Sequence, residues 1–265
     1  MRHVAVDWSG AKSPAGKIWL AEARDGRLER LESFPTRASV VQWIAACLLM
    51  PEPAVVGLDF AFSFPAWYCA HLGAHSATDV WRVVASDGER WLETCAWPFW
   101  GRPGQRCPDL PEHLRRTEWL AGRRLKTRPK STFQIGGAGA VGTGSLRGMP
   151  HLLELQDAGC AVWPFGAAGH VTIVELYPRL LTGPVTKSRP ECRAAYLQDI
   201  ARLWSPQHRL AAEASEDAFD AVVSALEMNA RWQTLPEPHT LDRLFALEGL
   251  IWDPAGAYSL RNDAG

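Results

Sequence analysis

Residues 3–34 read HVAVDWSGAKSPAGKIWLAEARDGRLERLESF, three short apolar runs separated by two groups of turn residues. Residues 3–8 form a short apolar run that carries an acid, Asp7, near its end. Ser9-Gly10-Ala11 and Ser13-Pro14-Ala15-Gly16 supply turn residues behind it. Lys17–Ala23 and Leu28–Phe34 read as two more strands, and Asp25-Gly26 between them is a strong hairpin signal. From Arg37 to Met50, Val40, Val41, Ile44 and Leu48 recur at helical spacing, and Pro51 and Pro53 stop that helix. Ala54–Phe60 is a fourth apolar strand, with Asp59 near its end. The order is therefore three hairpin-connected strands, a helix, then a strand.

Residues 61–150 are rich in Trp, Pro, Arg and Gly and show no clean strand pattern. They read as a long insertion with helices near 75–95 and 111–125. Pro150 fits the first position of a short helix reaching about Asp157. Cys160–Phe165 and Val171–Leu176 are predicted strands. Pro190–Leu203 and Ser215–Gln233 are predicted helices, the second with Ser215 as N-cap. A short helix is expected around 240–248. The expected fold class is α/β: a mixed sheet, three antiparallel strands then parallel ones, flanked by helices and carrying the insertion. Residues 1–265 are expected to form a single elaborated domain.

The chain has 265 residues, 47% hydrophobic and 22% charged, with a net charge of −1. Those figures belong to an ordinary globular protein and exclude long disorder. Near-neutrality conceals an asymmetry. Residues 101–150 hold ten Arg or Lys and three acids, a net +7, which leaves −8 for the remainder. Such a segment is a partner signal for a polyanion or a solvated Arg-rich surface. The N-terminus lacks the apolar core and cleavage site of a signal peptide, and no window reaches 18 apolar residues, so a cytoplasmic, membrane-free chain is expected. The six cysteines include no C-x-x-C pair, which disfavours a thiol zinc site or redox motif.

Asp7, Asp59 and Glu175 share one context, the end of an apolar strand: Val-Ala-Val-Asp, Val-Val-Gly-Leu-Asp and Thr-Ile-Val-Glu. A carboxylate beside a core needs a partner, because desolvation costs several kcal/mol, on the order of the values for buried ions. One such acid is explained by a helix cap or by an Arg of the basic segment. Three point to a shared site at strand ends, where a divalent cation would offset their repulsion. A second acidic group lies in Ser215-Glu216-Asp217-Ala218-Phe219-Asp220-Ala221. Glu216 and Asp217 suit the helix dipole of a first turn. Asp220 falls beside Glu227 and Arg231 on the polar side of the wheel. Asp217 and Asp220 are i, i+3 neighbours that one ion could touch.

These segments together resemble the ribonuclease H-like fold. Asp7 matches its first-strand Asp and Asp59 its fourth-strand acid, and Asp217–Ala221 resembles the D-A-x-D-A helix start of the Holliday-junction resolvases. More closely, the chain is similar to domain-of-unknown-function family 429, described as predicted nucleases of that fold. The carrying segments are Val4–Ala11, Leu58–Ser63, Glu175–Arg179 and Asp217–Ala221. The resemblance implies a nuclease that hydrolyses phosphodiester bonds through two Mg²⁺ or Mn²⁺ ions. Asp7 would bridge the ions, with Asp59, Glu175 and Asp220 as terminal ligands and Asp217 as a further one. Ser9, Arg115, Arg116, Arg123, Arg124, Lys126, Arg128 and Lys130 are the expected substrate contacts, with DNA or RNA as partner. Two departures stand out: some ninety residues follow the fourth strand, and Glu175 lacks a clear counterpart in the resolvases.

Two other readings use the same residues. An actin-like ATP-dependent kinase or ATPase would employ Asp7-Trp8-Ser9-Gly10 as a phosphate turn. A non-catalytic nucleic-acid-binding module would keep the fold and use the basic segment. Residues 137–142 fit G-x-G-x-x-G, but Gly144, Gly148 and Pro150 argue against the helix that dinucleotide binding needs. Trp97, Phe99 and Trp100 are read as packing residues rather than as base-stacking ones.

Overall fold

The computed structural model describes residues 1–125, 129–137, 139–201 and 204–256. Strands β1 (Arg2–Asp7), β2 (Ile18–Arg24) and β3 (Arg27–Phe34) form an antiparallel meander. Its second turn is tight because Asp25 and Gly26 both take positive φ, +49° and +75°, which matches the twist of a two-residue hairpin. Helix α1 (Arg37–Ala46) starts at Thr36, whose side chain accepts from the Ser39 amide, and runs through one 3₁₀ turn towards Pro51. Strand β4 (Ala54–Leu58) then pairs parallel to β1.

The segment after β4 contains α2 (Ala66–His71), α3 (Ala77–Thr94), α4 (Arg116–Arg124) and α5 (Gly142–Ala158). Strands β5 (Ala161–Val162) and β6 (Val171–Glu175) complete a six-stranded mixed sheet in the order β3-β2-β1-β4-β6-β5, with β6 parallel to β4. Helices α6 (Pro178–Thr182), α7 (Pro190–Ile200), α8 (Pro206–Ala214), α9 (Glu216–Arg231) and α10 (Phe245–Glu248) follow. Among the described residues no helix is long and apolar enough to cross a membrane.

The strand period of two divides the core. Val4, Val6, Ile18, Leu20, Val56, Leu58 and Ile173 face a large cluster that includes α1, α3 and α5. This cluster runs on into Phe64, Tyr68, Trp91, Phe99 and Phe133 of the long insertion. Ala5, Ala21, Ala23, Val55 and Val174 face the other way, against α9. Three of these five are alanines, and α9 answers with Ala218, Ala221 and Ala225, so helix and sheet approach closely. Nearly the whole circumference of α9 is buried from Ala218 to Ala225.

Three sequence expectations are corrected. Pro150 does not start a helix; it lies inside α5, which begins at Gly142. Proline forgoes one backbone bond there, and the burial of Leu146, Met149, Leu152 and Leu155 along one helix face outweighs that loss. The helix after the glycine-rich run therefore exists, whereas Ser131–Ile135 before it is a turn with a single bridge, Trp100 to Gln134. The predicted strand over Cys160–Phe165 shrinks to two residues, because Pro164 has no N–H for the ladder. The aromatics read as packing residues do pack: Phe99 is buried against Trp91, Trp100 lies edge-on to His113, and Trp97, though 51% exposed, lies against Trp67 and His71.

Candidate active site

Asp7 and Asp59 stand side by side at the C-terminal ends of β1 and β4. The register pairs Val6 with Leu58, and the Asp59 amide donates to the Val6 carbonyl at 3.2 Å. Both acids carry odd numbers on strands whose odd residues, Ala5 and Val55, face α9. Helix α9 delivers the third acid. Ser215 caps it, accepting from the Ala218 amide at 3.2 Å, which places Asp217 in the first turn and Asp220 one turn on. Asp220 is only 2% exposed, so the wheel position beside Glu227 and Arg231 does not put it on a polar surface. The Lys187 ammonium, from the loop between α6 and α7, donates to Asp220 Oδ2, while Asp220 Oδ1 is buried with no hydrogen-bond partner.

The electrostatics follow from this crowding. Burial, and then the charges of Asp59, Asp220 and Asp217, hold the Asp7 carboxyl well above the ordinary range. Burial and Asp220 push Asp59 up to about 7. Burial also raises Asp217 and Asp220, against the pull of Lys187. For Lys187, burial opposes the charged form, but attraction to Asp220 and the hydrogen bond to it prevail, and its pKa rises. The site is thus several carboxyl groups short of counter-charge near neutrality, with one ammonium among them.

Glu175 faces the other way, although it lines the same narrow cleft as Asp59 and its charge helps to raise the Asp59 pKa. Its register partner is Leu58, not Asp59, so it shares the sheet face of Val6, Leu58 and Ile173, opposite to Asp7 and Asp59. There it receives both terminal nitrogens of Arg115 and the Phe62 amide. Arg115 is 0% exposed and also donates to Glu118 and to the Glu248 carbonyl. Burial, countered by Arg115, raises Glu118 to about 7. This corrects two expectations together. Arg115 is sealed in the core and cannot meet a phosphate, and Glu175 spends its lone pairs on that arginine. The pairing of a strand-end acid with an Arg of the basic segment is realised at this one position.

The remaining basic residues divide. Arg124 pairs with Asp253, and Arg147 pairs with Glu89 and donates to the Gly10 carbonyl. Arg116, Arg123 and Lys130 are exposed. Lys126 and Arg128 lie outside the described residues. Lys130 lines a narrow cleft with Asp59, Leu176 and Tyr177, which links the insertion to the acids. Ser9 is half-buried and closes a local turn: its Oγ accepts from the Ala11 amide, and its carbonyl accepts from Arg37. Gly10 lies so close to the start of α5 that a Cβ there would meet the Gly144 nitrogen at 2.6 Å. The glycine-rich run is therefore used for backbone contact.

Lys187 is the residue that sequence reading missed. It belongs to a short loop without periodicity, and its one faint signal is being one of five lysines in a chain with 23 arginines. Among the described residues no group of three or more His, Cys, Asp or Glu side chains stands in a metal-ligand arrangement. No family model, no curated protein and no solved structure matches this chain.

Proposed function

We propose that the chain is a metal-dependent nuclease of the ribonuclease H-like kind, hydrolysing phosphodiester bonds at Asp7, Asp59 and Asp220. One observation carries this reading: three carboxyl groups from two adjacent parallel strands and a buried helix converge with too little counter-charge. The strand order supports it, since an antiparallel meander with its first strand central and the fourth parallel beside it is the arrangement that the resemblance implies.

The donors have the right chemistry for Mg²⁺ or Mn²⁺, which prefer hard carboxylate oxygens. Asp220 Oδ1 is an unspent acceptor inside the site. Asp7, Asp59 and Asp220 would hold the ion, with Asp217 at the margin. A bound ion supplies Lewis-acid polarisation of a phosphate oxygen and lowers the pKa of its water. The chain's own residues do the rest. The strand ends orient Asp7 and Asp59, α9 excludes water behind Asp220, and Lys130 with Arg116 and Arg123 would meet the phosphates of the nucleic acid. Lys126 and Arg128 are proposed for the same task. Glu175 and Arg115 take no part in the chemistry and hold the insertion on the sheet.

The test is cleavage of labelled single- and double-stranded DNA and RNA in Mn²⁺. At least one substrate should be cut, and Asp7→Asn should lower the rate by about 100-fold or more, beyond what loss of an outer-shell partner typically costs. Cleavage by Asp7→Asn at the wild-type rate, or no cleavage of any substrate, contradicts the reading.

A further inference from the structure

We propose that Lys187 is a built-in cation of this site and fills one of the two positions that a two-ion phosphodiesterase gives to metal, so that the site takes a single divalent ion. The inference rests on the metal-dependent reading above and specifies its stoichiometry.

The ammonium is delivered by a backbone that is tied down. Arg179 donates to the Val185 carbonyl at 2.9 Å. Arg193, buried at 2% exposure, donates to the carbonyls of Lys187, Glu213 and Ala214. Ala214 directly precedes Ser215, the cap of α9. One guanidinium thus fixes the Lys187 backbone to the start of the helix that carries Asp220. The side chain, still 36% exposed, places its ammonium on Asp220, and its charge acts on Asp7, Asp59, Asp217 and Asp220.

The division of Asp220 points the same way. Oδ2 is taken by Lys187, and Oδ1 is buried and open. One oxygen of this carboxylate already has its cation and the other has no partner, while the Asp220 charge acts on both Asp7 and Asp59. The choice of residue fits too. An ammonium is a compact point charge with rotatable donors, unlike the planar fork of arginine, and so can stand where an ion would. This chain uses arginine 23 times and lysine five, yet keeps lysine here.

The experiment is Mn²⁺ titration of the full chain, followed by calorimetry and by electron paramagnetic resonance, for wild type, Lys187→Met and Asp7→Asn. Two Mn²⁺ ions about 4 Å apart are spin-coupled, whereas one ion is not. Wild type should bind one ion with an uncoupled spectrum. Lys187→Met should take a second ion and show the coupled spectrum. A coupled pair in wild type overturns the inference, because the ammonium would have given way. One ion in both proteins also overturns it, because Lys187 would hold no ion position. If Lys187→Met does not fold, Lys187→Gln, which keeps a polar side chain and removes the charge, is read in its place, and a single ion in it overturns the inference. Absence of Mn²⁺ binding in wild type, or equal binding by Asp7→Asn, overturns the metal reading and this inference with it.

Discussion

At the scale of single residues, Asp59 and Arg115 make opposite predictions. Burial and Asp220 raise Asp59 to about 7, whereas an unfolded aspartate titrates near 3.9. The folded chain therefore keeps this proton between about pH 4 and 7, where the unfolded chain has lost it. The stability it contributes is complete below about pH 4 and is lost as pH rises through 7. Asp59→Asn, which mimics the protonated group, should be more stable than wild type at pH 8 by about 1–3 kcal/mol. The difference should vanish near pH 4, as read by urea unfolding at both pH values. A variant less stable than wild type at pH 8 contradicts the electrostatics of the site. Arg115→Met should act in the other direction. It strands the Glu175 and Glu118 carboxylates in the core, and such a loss costs about 3–5 kcal/mol. An unfolding midpoint unchanged by Arg115→Met would show that the guanidinium is not the buried clamp described.

At the scale of elements, α5 tests whether its glycines are chosen for contact. Replacing a helical glycine by alanine usually stabilises by about 1 kcal/mol. At Gly148 a Cβ would lie 2.5 Å from the Phe60 ring, which is itself buried beside Trp8 and Phe62. The sign should therefore reverse, with Gly148→Ala destabilising by about 1–3 kcal/mol through overpacking. Thermal unfolding reads this directly, and a stabilised variant would mean that α5 does not sit on Phe60 as described. The same helix marks a limit of sequence reading. Pro150 and three nearby glycines speak locally against a helix, and only packing against α3 and the sheet makes one. The hairpin was legible because Asp25-Gly26 is a local device. Ser215 as the cap of α9 was legible for the same reason. The short helices α2, α6 and α8 carry too few periodic residues to be seen.

At the scale of the whole molecule, the site depends on register, which a sequence does not display. Val-Ala-Val-Asp and Thr-Ile-Val-Glu look alike, yet Glu175 pairs with Leu58 and so falls on the face opposite to Asp59. A one-residue offset sends an acid to the other side of a sheet. Asp7 and Asp59 could be chosen from strand ends alone. Asp220 could be chosen from its helix, but its burial depends on the alanines of β1 and β2 that let α9 approach. Lys187 required the loop that Arg193 ties to α8, a contact between residues 20 apart with no periodic trace. The +7 charge of residues 101–150 is likewise divided by the fold. One arginine is sealed in the core, others are paired, and Arg116, Arg123 and Lys130 face outward.

The cation site proposed at Asp7, Asp59 and Asp220 is open to calorimetric titration with Mn²⁺ at pH 6 and pH 8. The raised carboxyl groups must release protons before they ligate, so wild type should bind more tightly at pH 8 than at pH 6. Asp7→Asn and Asp220→Asn should each weaken binding by about 10-fold or more, the least expected when a direct ligand rather than an outer-shell partner is lost. Wild-type affinity retained in both variants, or no heat of binding from the wild-type chain at either pH, would show that these carboxylates hold no cation.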